Sequence, residues 1–346
     1  MKRRWNIYKN MMSGITYLLP FIVAGGIFIA LSFISSSTQF GSIDFGSGTT
    51  ISEWFNSTGT IIMNFVLPIL SGYIAYSIAD RPGLVPGFVA GALSLSGGSG
   101  FLGAILGGFV AGYLTLGLIQ LLSKLPHAWS GLKTMIVFPV FGTLFTAILM
   151  LGVNIVMTPV TNGLQAFLSG LSGMSAIGIG FIAGAMMAYD MGGPVNKIAY
   201  IIGIASIVDG SASMFMASVM AGGMTPPLGL ALATLIFKDK FSLDHRKLGK
   251  MNWIMGATFM TEGAIPFVSD NPKYILPSLM AGSAVAGALV AALGTTLSIP
   301  HGGIFVIPLM DNWWGFVIAI LVGMVLSAIL IKILLPQFKE DNKITI

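Results

Sequence analysis

One carboxylate lies inside an otherwise apolar stretch and is the clearest candidate for chemistry. Glu262 follows the largely apolar residues 251–260 and precedes the apolar residues 264–267. A charged carboxylate within a membrane costs about 2.5 to 3.5 kcal/mol on insertion scales, and an intramembrane acid is a functional candidate by default. A Glu at an interfacial helix end, or one in a structural ion pair, would give the same pattern. We expect Glu262, beside Thr261, to meet a polar ligand or an ion.

A second group of polar residues surrounds a glycine-rich turn. Asn196 and Lys197 follow Gly192-Gly193-Pro194, where a turn would present amide and ammonium donors beside free backbone groups. Lys197 can instead extend its ammonium to the membrane interface. Asp190 can pair with Lys197, or it can cap a helix that begins near Pro194. The candidates for substrate binding here are Asp190, Gly193, Asn196 and Lys197.

The histidines provide one further candidate and no metal site. His301 lies between Pro300 and Gly302, where it is either a structural hydrogen-bonding residue or a ligand for substrate. His127 and His245 lie in polar segments near lysines, so we expect them to be solvated. Three histidines in unrelated segments do not have the spacing of a metal site. The glycine motifs match no nucleotide fingerprint, so the sequence predicts no metal and no cofactor.

The composition is that of a membrane protein. Of the 346 residues, 55% are hydrophobic and only 8% are charged. Soluble domains typically carry about 25% charged residues, so these residues cannot cover a water-facing surface. Cysteine is absent, which excludes disulfides, thiolate metal ligands and a cysteine nucleophile on this chain. The net charge of +5 indicates membrane topology rather than a nucleic-acid partner.

Several apolar stretches have about the length of a membrane span. They are residues 14–35, 59–78, 101–122, 135–156, 164–188, 251–267, 275–297 and 314–335. The positive-inside rule places the basic N-terminus, the basic segment 238–250 and the C-terminal tail in the cytoplasm, and residues 36–58 outside. Both ends inside require an even number of crossings. We therefore predict an all-α polytopic membrane protein with about ten transmembrane helices and additional re-entrant pieces.

Short apolar pieces broken by Gly, Pro and polar residues lie between these stretches. They are residues 83–101, 189–197, 261–273 and 298–303. Irregular backbone at membrane depth survives only where it is buried in protein or lines a polar cavity. Paired broken segments of this kind are typical of the substrate site of a transporter, near the middle of the membrane.

At these residues the sequence resembles a known family, the membrane-embedded IIC component of the bacterial phosphoenolpyruvate-dependent sugar phosphotransferase system, fructose type. The resemblance covers nearly the whole chain, and its strings are specific in this order over this length. They are residues 18–27, Ile78-Ala79-Asp80-Arg81-Pro82-Gly83, residues 100–105, Gly193-Pro194-Val195-Asn196-Lys197, Met224-Thr225-Pro226-Pro227-Leu228-Gly229, Thr261-Glu262-Gly263-Ala264-Ile265-Pro266-Phe267 and Pro300-His301-Gly302-Gly303.

The resemblance implies a homodimer in the bacterial plasma (inner) membrane, surrounded by lipid. Residues 1–160 would be rich in scaffold helices, and residues 161–346 would bind substrate, with re-entrant segments near 189–200 and 255–270 and an elevator-like movement. Transport would be coupled to phosphorylation of the sugar by a phosphorylated IIB partner, with IIA upstream. In this family IIB carries a phosphocysteine and IIA a phosphohistidine. Without cysteine or a soluble domain we expect this chain to supply neither carrier.

The chemistry of the residues agrees with such a role. A carboxylate such as Glu262 accepts hydrogen bonds from sugar hydroxyls and can orient the attacking hydroxyl, whereas Asn196 both donates and accepts. Lys197 or His301 could offset phosphate charge. Fructose is the first expectation, with mannose, a hexitol or a mannosyl-glycerate-like glycoside open. The alternatives are an ion-coupled secondary transporter, in which Glu262 and Asp190 carry protons or Na⁺, and a membrane scaffold or sensor.

The absence of cysteine allows a direct test of the orientation. Single cysteines placed within residues 36–58 should react with a membrane-impermeant maleimide on intact cells. Cysteines placed within residues 238–250 should react only after the membrane is opened, because basic loops are retained in the cytoplasm. Labelling yields before and after permeabilisation are the measurement, and the reverse pattern would overturn the orientation.

Overall fold

The computed structural model describes residues 6–36, 50–124, 126, 129–170, 173–207 and 212–337. The α-helices follow one another as α1 (Ile7–Ser36), α2 (Ile51–Asn64), α3 (Val66–Ala79), α4 (Arg81–Ser96), α5 (Gly100–Leu121), α6 (Ser130–Leu132), α7 (Phe138–Ser169), α8 (Gly173–Tyr189), α9 (Pro194–Ala205), α10 (Met214–Ile236), α11 (Leu243–Ala257), α12 (Ile265–Asp270), α13 (Pro272–Ala292) and α14 (Trp313–Leu334). No residue in the described ranges lies in a β-strand. The predicted all-α class is confirmed.

Among the described residues, seven helical segments are long and apolar enough to cross a membrane. They are Ile7–Ser36, Ile51–Ala79, Gly100–Leu121, Ser130–Leu168, Met214–Ile236, Pro272–Ala292 and Trp313–Leu334. The polytopic character is thus confirmed, whereas the expected count of about ten is not. Helices α8 and α9 are also apolar, but they have only 17 and 12 residues.

Three parts of the span assignment differ from the sequence-based expectation. The apolar stretch 164–188 is divided between the end of α7 and α8, and the stretch 251–267 is divided between α11, a 3-10 turn and α12. Helix α10 is a full-length span, which the hydropathy pattern left among the short pieces. Its Pro226 and Pro227 interrupt the apolar pattern without ending the helix. Prolines are tolerated in membrane helices where neighbouring groups satisfy the freed carbonyls.

The chain divides into two compact units, Met1–Ala166 and Phe167–Ile346. In the first unit, α3 packs against α1, α4 and α5. The contact between α3 and α4 is close because glycines of α4 face α3. A Cβ atom placed on Gly87 would lie 2.7 Å from the Cβ of Ala75 and 2.8 Å from the Cα of Gly72. Such close backbone approach is typical of helix packing in membranes.

The broken segment between α4 and α5 also lies in the first unit, and side chains of α7 satisfy its backbone. Asn154 donates to the carbonyl of Leu93 (3.0 Å) and accepts from the hydroxyl of Ser99 (2.6 Å). Thr158 donates to the carbonyl of Gly97 (3.0 Å), and Thr161 donates to that of Ser99 (2.9 Å). The spacing of these α7 residues places them on one helix face. This segment is therefore held by protein groups.

In the second unit, α8, α10 and α13 meet through small residues. A Cβ on Gly184 of α8 would collide with the carbonyl oxygen of Ser283 on α13. A Cβ on Gly222 of α10 would lie 2.6 Å from the Cα of Gly184. The hydroxyl of Ser218 on α10 donates to the carbonyl of Gly287 on α13 (3.0 Å). Glycine thus allows three backbones to pack directly against one another, which fixes the helices that carry the broken segments.

The expectation that His245 is solvated is wrong, and His127 lies outside the described residues. The Nε2 atom of His245 lies 3.0 Å from a carboxylate oxygen of Asp270, and its imidazole stacks on Phe267 with ring centroids 4.8 Å apart. The His side chain is only 15% exposed. The first turn of α11 is thereby joined to the end of α12. The sequence around His245 did not reveal these contacts, because both partners, Phe267 and Asp270, lie more than 20 residues further along the chain.

The glycine contact predicts a site-specific sensitivity to one methyl group. Gly184→Ala should lower stability by about 1–3 kcal/mol, because the added methyl meets backbone that cannot rotate away. Gly178→Ala on the same helix is the matched control, since a Cβ at Gly178 would meet nothing within 4 Å. Alanine is the better helix former, so the control should be neutral or slightly stabilising. Thermal unfolding in detergent is the measurement, and equal melting temperatures for the two variants would contradict the packing.

Candidate functional site

The first broken segment of the second unit is the turn between α8 and α9. Its backbone enters the left-handed region at Met191 (φ 43°) and Gly192 (φ 106°). The two carboxylate oxygens of Asp190 accept hydrogen bonds from the backbone N–H groups of Val195 (2.7 Å) and Asn196 (2.9 Å). Asp190 therefore caps α9, which is one of the two roles that the sequence predicted for it. Glycine at 192 is required by the positive φ.

Asn196 joins the two helices that flank this turn. Its side-chain amide donates to the carbonyl of Met187, near the end of α8, over 2.7 Å, and the residue is buried. Gly193 lies directly beside the Asp190 carboxyl group, because a Cβ on Gly193 would lie 2.6 Å from it. Lys197 is half-buried, and its ammonium forms no ion pair or hydrogen bond with any described residue. The Asp190–Lys197 ion pair is not formed.

The second broken segment follows α11 and is anchored on α10. The Thr261 hydroxyl donates to the carbonyl of Gly223 over 3.0 Å. In a regular helix this carbonyl would accept from the N–H of residue 227, but Pro227 has no N–H. The proline therefore frees the acceptor that Thr261 uses. Phe259, just before this anchor, has a φ of 65°, which is rare for an aromatic residue and costs about 1–3 kcal/mol.

Glu262 brings the first two segments into contact. A Cβ placed on Gly192 would lie 2.7 Å from a carboxylate oxygen of Glu262, so the carboxylate lies directly on the glycine backbone. Glu262 is exposed, and within the described part of the chain no side chain or backbone N–H pairs with its carboxylate. A structural ion pair, one of the alternatives from sequence, is therefore not observed in the described residues. The carboxylate remains available to a ligand.

The third broken segment, residues 298–303, meets the second through aromatic rings. The backbone is left-handed at Gly303 (φ 57°), and a Cβ there would collide with the carbonyl oxygen of Ala257 at the end of α11. The imidazole of His301 lies 5.0 Å from the ring of Phe259 and 6.3 Å from that of Tyr200, measured between centroids. Tyr200 belongs to α9, so α9 and the third segment both meet the second segment at Phe259.

The structure thus brings together Asp190, Gly193, Asn196, Thr261, Glu262 and His301 in one unit, and it places Lys197 on the first turn of α9. Sequence reasoning missed Gly192, Gly223, Phe259 and Tyr200. The adjacent proline pair was a signal for Gly223, since each proline frees a carbonyl four residues earlier. Nothing in the sequence pattern distinguished Tyr200 from the apolar residues around it. The broken segment 83–101 does not belong to this group, because it lies in the first unit.

Comparison with known proteins places the chain among membrane permeases. Residues 12–282 match the family described as Phosphotransferase system, EIIC. The chain is 37% identical over 353 residues to the PTS system fructose-specific EIIC component of Haloferax volcanii, covering 96% of this chain and 93% of that protein. It is 35% identical over 345 residues to the Fructose-like permease IIC component 2 of Escherichia coli, covering 98% and 94%.

Other relatives are longer proteins. The chain is 41% identical over 336 residues to the PTS system fructose-specific EIIABC component of Bacillus subtilis, which includes 96% of this chain but only 52% of that protein. The chain thus spans about half the length of this relative. The family match covers most of the chain, and the shorter relatives are covered almost completely. The protein therefore belongs to the EIIC family of the phosphotransferase system.

Proposed function

We propose that this chain binds a sugar, with fructose as the first candidate, and carries it across the membrane for phosphorylation by a IIB partner. The observation that carries the proposal is the exposed Glu262 carboxylate, which lies on Gly192 where the first two broken segments meet and has no partner in the described chain. The relatives support the substrate class, because their names include fructose-specific and fructose-like permeases. The name of one longer relative also combines the C component with A and B components, and the name of another combines it with B components.

The roles of the site residues follow from their contacts. Asp190, Gly193, Asn196 and Thr261 position the turns through backbone hydrogen bonds and close packing. Glu262 accepts hydrogen bonds from two sugar hydroxyls, with charge-assisted strength. Lys197, on the first turn of α9, offsets negative charge when a phosphoryl group approaches. His301 contributes a ring nitrogen from the third segment. Two unpaired side chains of opposite charge in one unit suit a substrate that begins as a neutral polyol and leaves as an anion.

The phosphoryl transfer itself requires a donor from another component. The sugar hydroxyl attacks the phosphorus atom held on the IIB cysteine. A P–O bond forms, the P–S bond breaks to release the cysteine thiolate, and the hydroxyl proton passes to that thiolate. Glu262 orients the attacking hydroxyl, and such positioning, with stabilisation of charge, is most of what phosphoryl transfer needs from a protein. This chain contains no cysteine. We therefore assign the phosphocarrier to IIB, with IIA as its own donor.

We further propose that the second unit is the moving, substrate-binding part and that the first is a scaffold, in a homodimer. The α8–α9 pair and the α11–α12 pair would form re-entrant hairpins. Helix α9 has 12 residues and is therefore about 18 Å long, too short for a hydrocarbon core of about 30 Å. Additional helices that cross the membrane, beyond the seven long segments, would bring the number of crossings toward the expected ten. Both termini would face the cytoplasm from the plasma membrane, with lipid around the exposed apolar helices.

Glu262→Gln should weaken sugar binding by a factor of ten or more. The amide keeps the size of the side chain but loses the charge-assisted acceptor, which is worth about 1.5–3 kcal/mol. Calorimetry with fructose on detergent-purified protein is the measurement. Asp244→Asn is the matched control, because that exposed carboxylate on α11 pairs only with Lys247 in the described structure. A folded Glu262→Gln protein with wild-type affinity would contradict the assignment of Glu262 to sugar binding.

The source of free energy separates phosphotransfer from ion coupling. Purified protein in liposomes should exchange labelled fructose slowly, without dependence on a proton or Na⁺ gradient. Accumulation should require phosphorylated IIB on the cytoplasmic face, and the recovered product should be sugar phosphate. Uptake with and without gradients and partner proteins is the experiment. Gradient-driven accumulation of unmodified sugar would refute the proposal and make Glu262 and Asp190 ion-coupling residues.

A further inference from the structure

Buried polar atoms without a partner point to a second set of ligands. In the described chain most of these atoms are Ser or Thr hydroxyls on helices, and such hydroxyls can rotate toward a nearby helix carbonyl. Three are of a different kind: Oη of Tyr200, Nδ2 of Asn252 and Nδ1 of His301. Tyr200 is 5% exposed, Asn252 is 2% exposed and His301 is 9% exposed. Rigid rings and a buried amide fix the positions of these three atoms. Unlike a Ser or Thr hydroxyl, none of them can turn toward a helix carbonyl by a simple side-chain rotation.

These three residues contact the turn that carries Glu262. The Tyr200 and His301 rings are perpendicular (89°) and both adjoin Phe259, at centroid distances of 6.0 Å and 5.0 Å respectively. Further along the turn, a Cβ on Gly263 would lie 2.5 Å from Oδ1 of Asn252. Tyr200 and His301 therefore contact the residue three positions before Glu262, and Asn252 contacts the residue one position after it.

A purely structural role does not explain these atoms. A buried donor or acceptor without a partner costs about 1–3 kcal/mol, and an apolar residue of the same shape would avoid that cost. Phe in place of Tyr200 would keep the ring contacts with Phe259 and His301. In native proteins, buried polar groups of this kind generally have a partner such as a bound ligand or an ordered water. All three residues contact the turn that carries Glu262, and a ligand bound at this turn would give their polar atoms a partner.

We propose that Tyr200, Asn252 and His301 form an inner set of hydrogen-bonding groups for the hydroxyls of the substrate, and this inference rests on the proposed sugar-binding function. A sugar hydroxyl both donates and accepts, whereas an ionised carboxylate only accepts. Glu262 accepts hydrogen bonds from the hydroxyls. Tyr200 and Asn252 donate to the hydroxyl oxygens, and Nδ1 of His301 completes the set. Together they provide the donors that Glu262 lacks.

Access to this inner set requires the Phe259 turn to move. All three side chains are buried with the turn in its observed position, and Phe259 itself is 6% exposed. Its left-handed backbone is a strained conformation for an aromatic residue, so a rearranged turn relieves strain as it opens. The sugar would reach Glu262 first and the inner groups after this rearrangement.

The test is Tyr200→Phe, measured by calorimetry with fructose and by thermal unfolding without sugar. The inference expects affinity to fall about three- to ten-fold, as for loss of one hydrogen bond, while the melting temperature of the free protein stays the same or rises. A structural role for the hydroxyl would instead lower the melting temperature. Asn252→Leu is the second variant and should also weaken binding. Tyr274→Phe on α13 is the matched control and should bind fructose as the wild type does.

A series of monodeoxy fructose analogues identifies the contact. For the analogue that lacks the hydroxyl contacted by Tyr200, wild type and Tyr200→Phe should have equal affinity. If both Tyr200→Phe and Asn252→Leu bind fructose like wild type while Glu262→Gln does not, the inner set is refuted and the proposed function stands. If the wild type binds no fructose and none of the other candidate sugars, the proposed function fails and this inference fails with it.

Discussion

The carbonyl of Gly223 is the constraint on which the site depends. Helix α10 cannot satisfy it, because Pro227 has no N–H to donate, and the Thr261 hydroxyl of another segment does so instead. A membrane offers no water to replace such a bond, so an unpaired carbonyl at this depth would cost several kcal/mol. The same bond fixes the residue next to Glu262. A proline in a buried helix thus determines where the Glu262 carboxylate lies.

The other segments follow the same rule with different partners. Asp190 satisfies backbone N–H groups at the start of α9, whereas Asn154, Thr158 and Thr161 satisfy the break between α4 and α5. These two irregular turns are therefore held by polar side chains, from within the turn at Asp190 and from α7 at the break between α4 and α5. The Glu262 carboxylate is different, because it is placed by these bonds and has no described partner of its own. That difference is why we assign ligand binding to Glu262 and support of the turns to the other groups.

Much of the site could be predicted, because broken backbone in an apolar chain must find polar partners. This reasoning selected Glu262, Asp190 and His301. It also selected residues 83–101, which contain the same pattern of Gly, Pro and polar residues in an apolar stretch. Their partners are on α7, far along the chain, and no local pattern indicates that. The span at α10 was missed because its glycines and prolines resemble a break, although its neighbours make it continuous. Tyr200 was missed because its orphan hydroxyl arises only from tertiary packing around Phe259.

The most direct test of the central claim is a structure of the protein with fructose bound, determined by electron cryo-microscopy in a lipid nanodisc. The account expects the sugar at the turns around Gly192 and Thr261, with at least one hydroxyl about 2.6–3.2 Å from the Glu262 carboxylate. The backbone at Met191 and Phe259 should mark the edges of the site. Sugar bound in the first unit, or bound in the second with Glu262 turned away, would contradict the account.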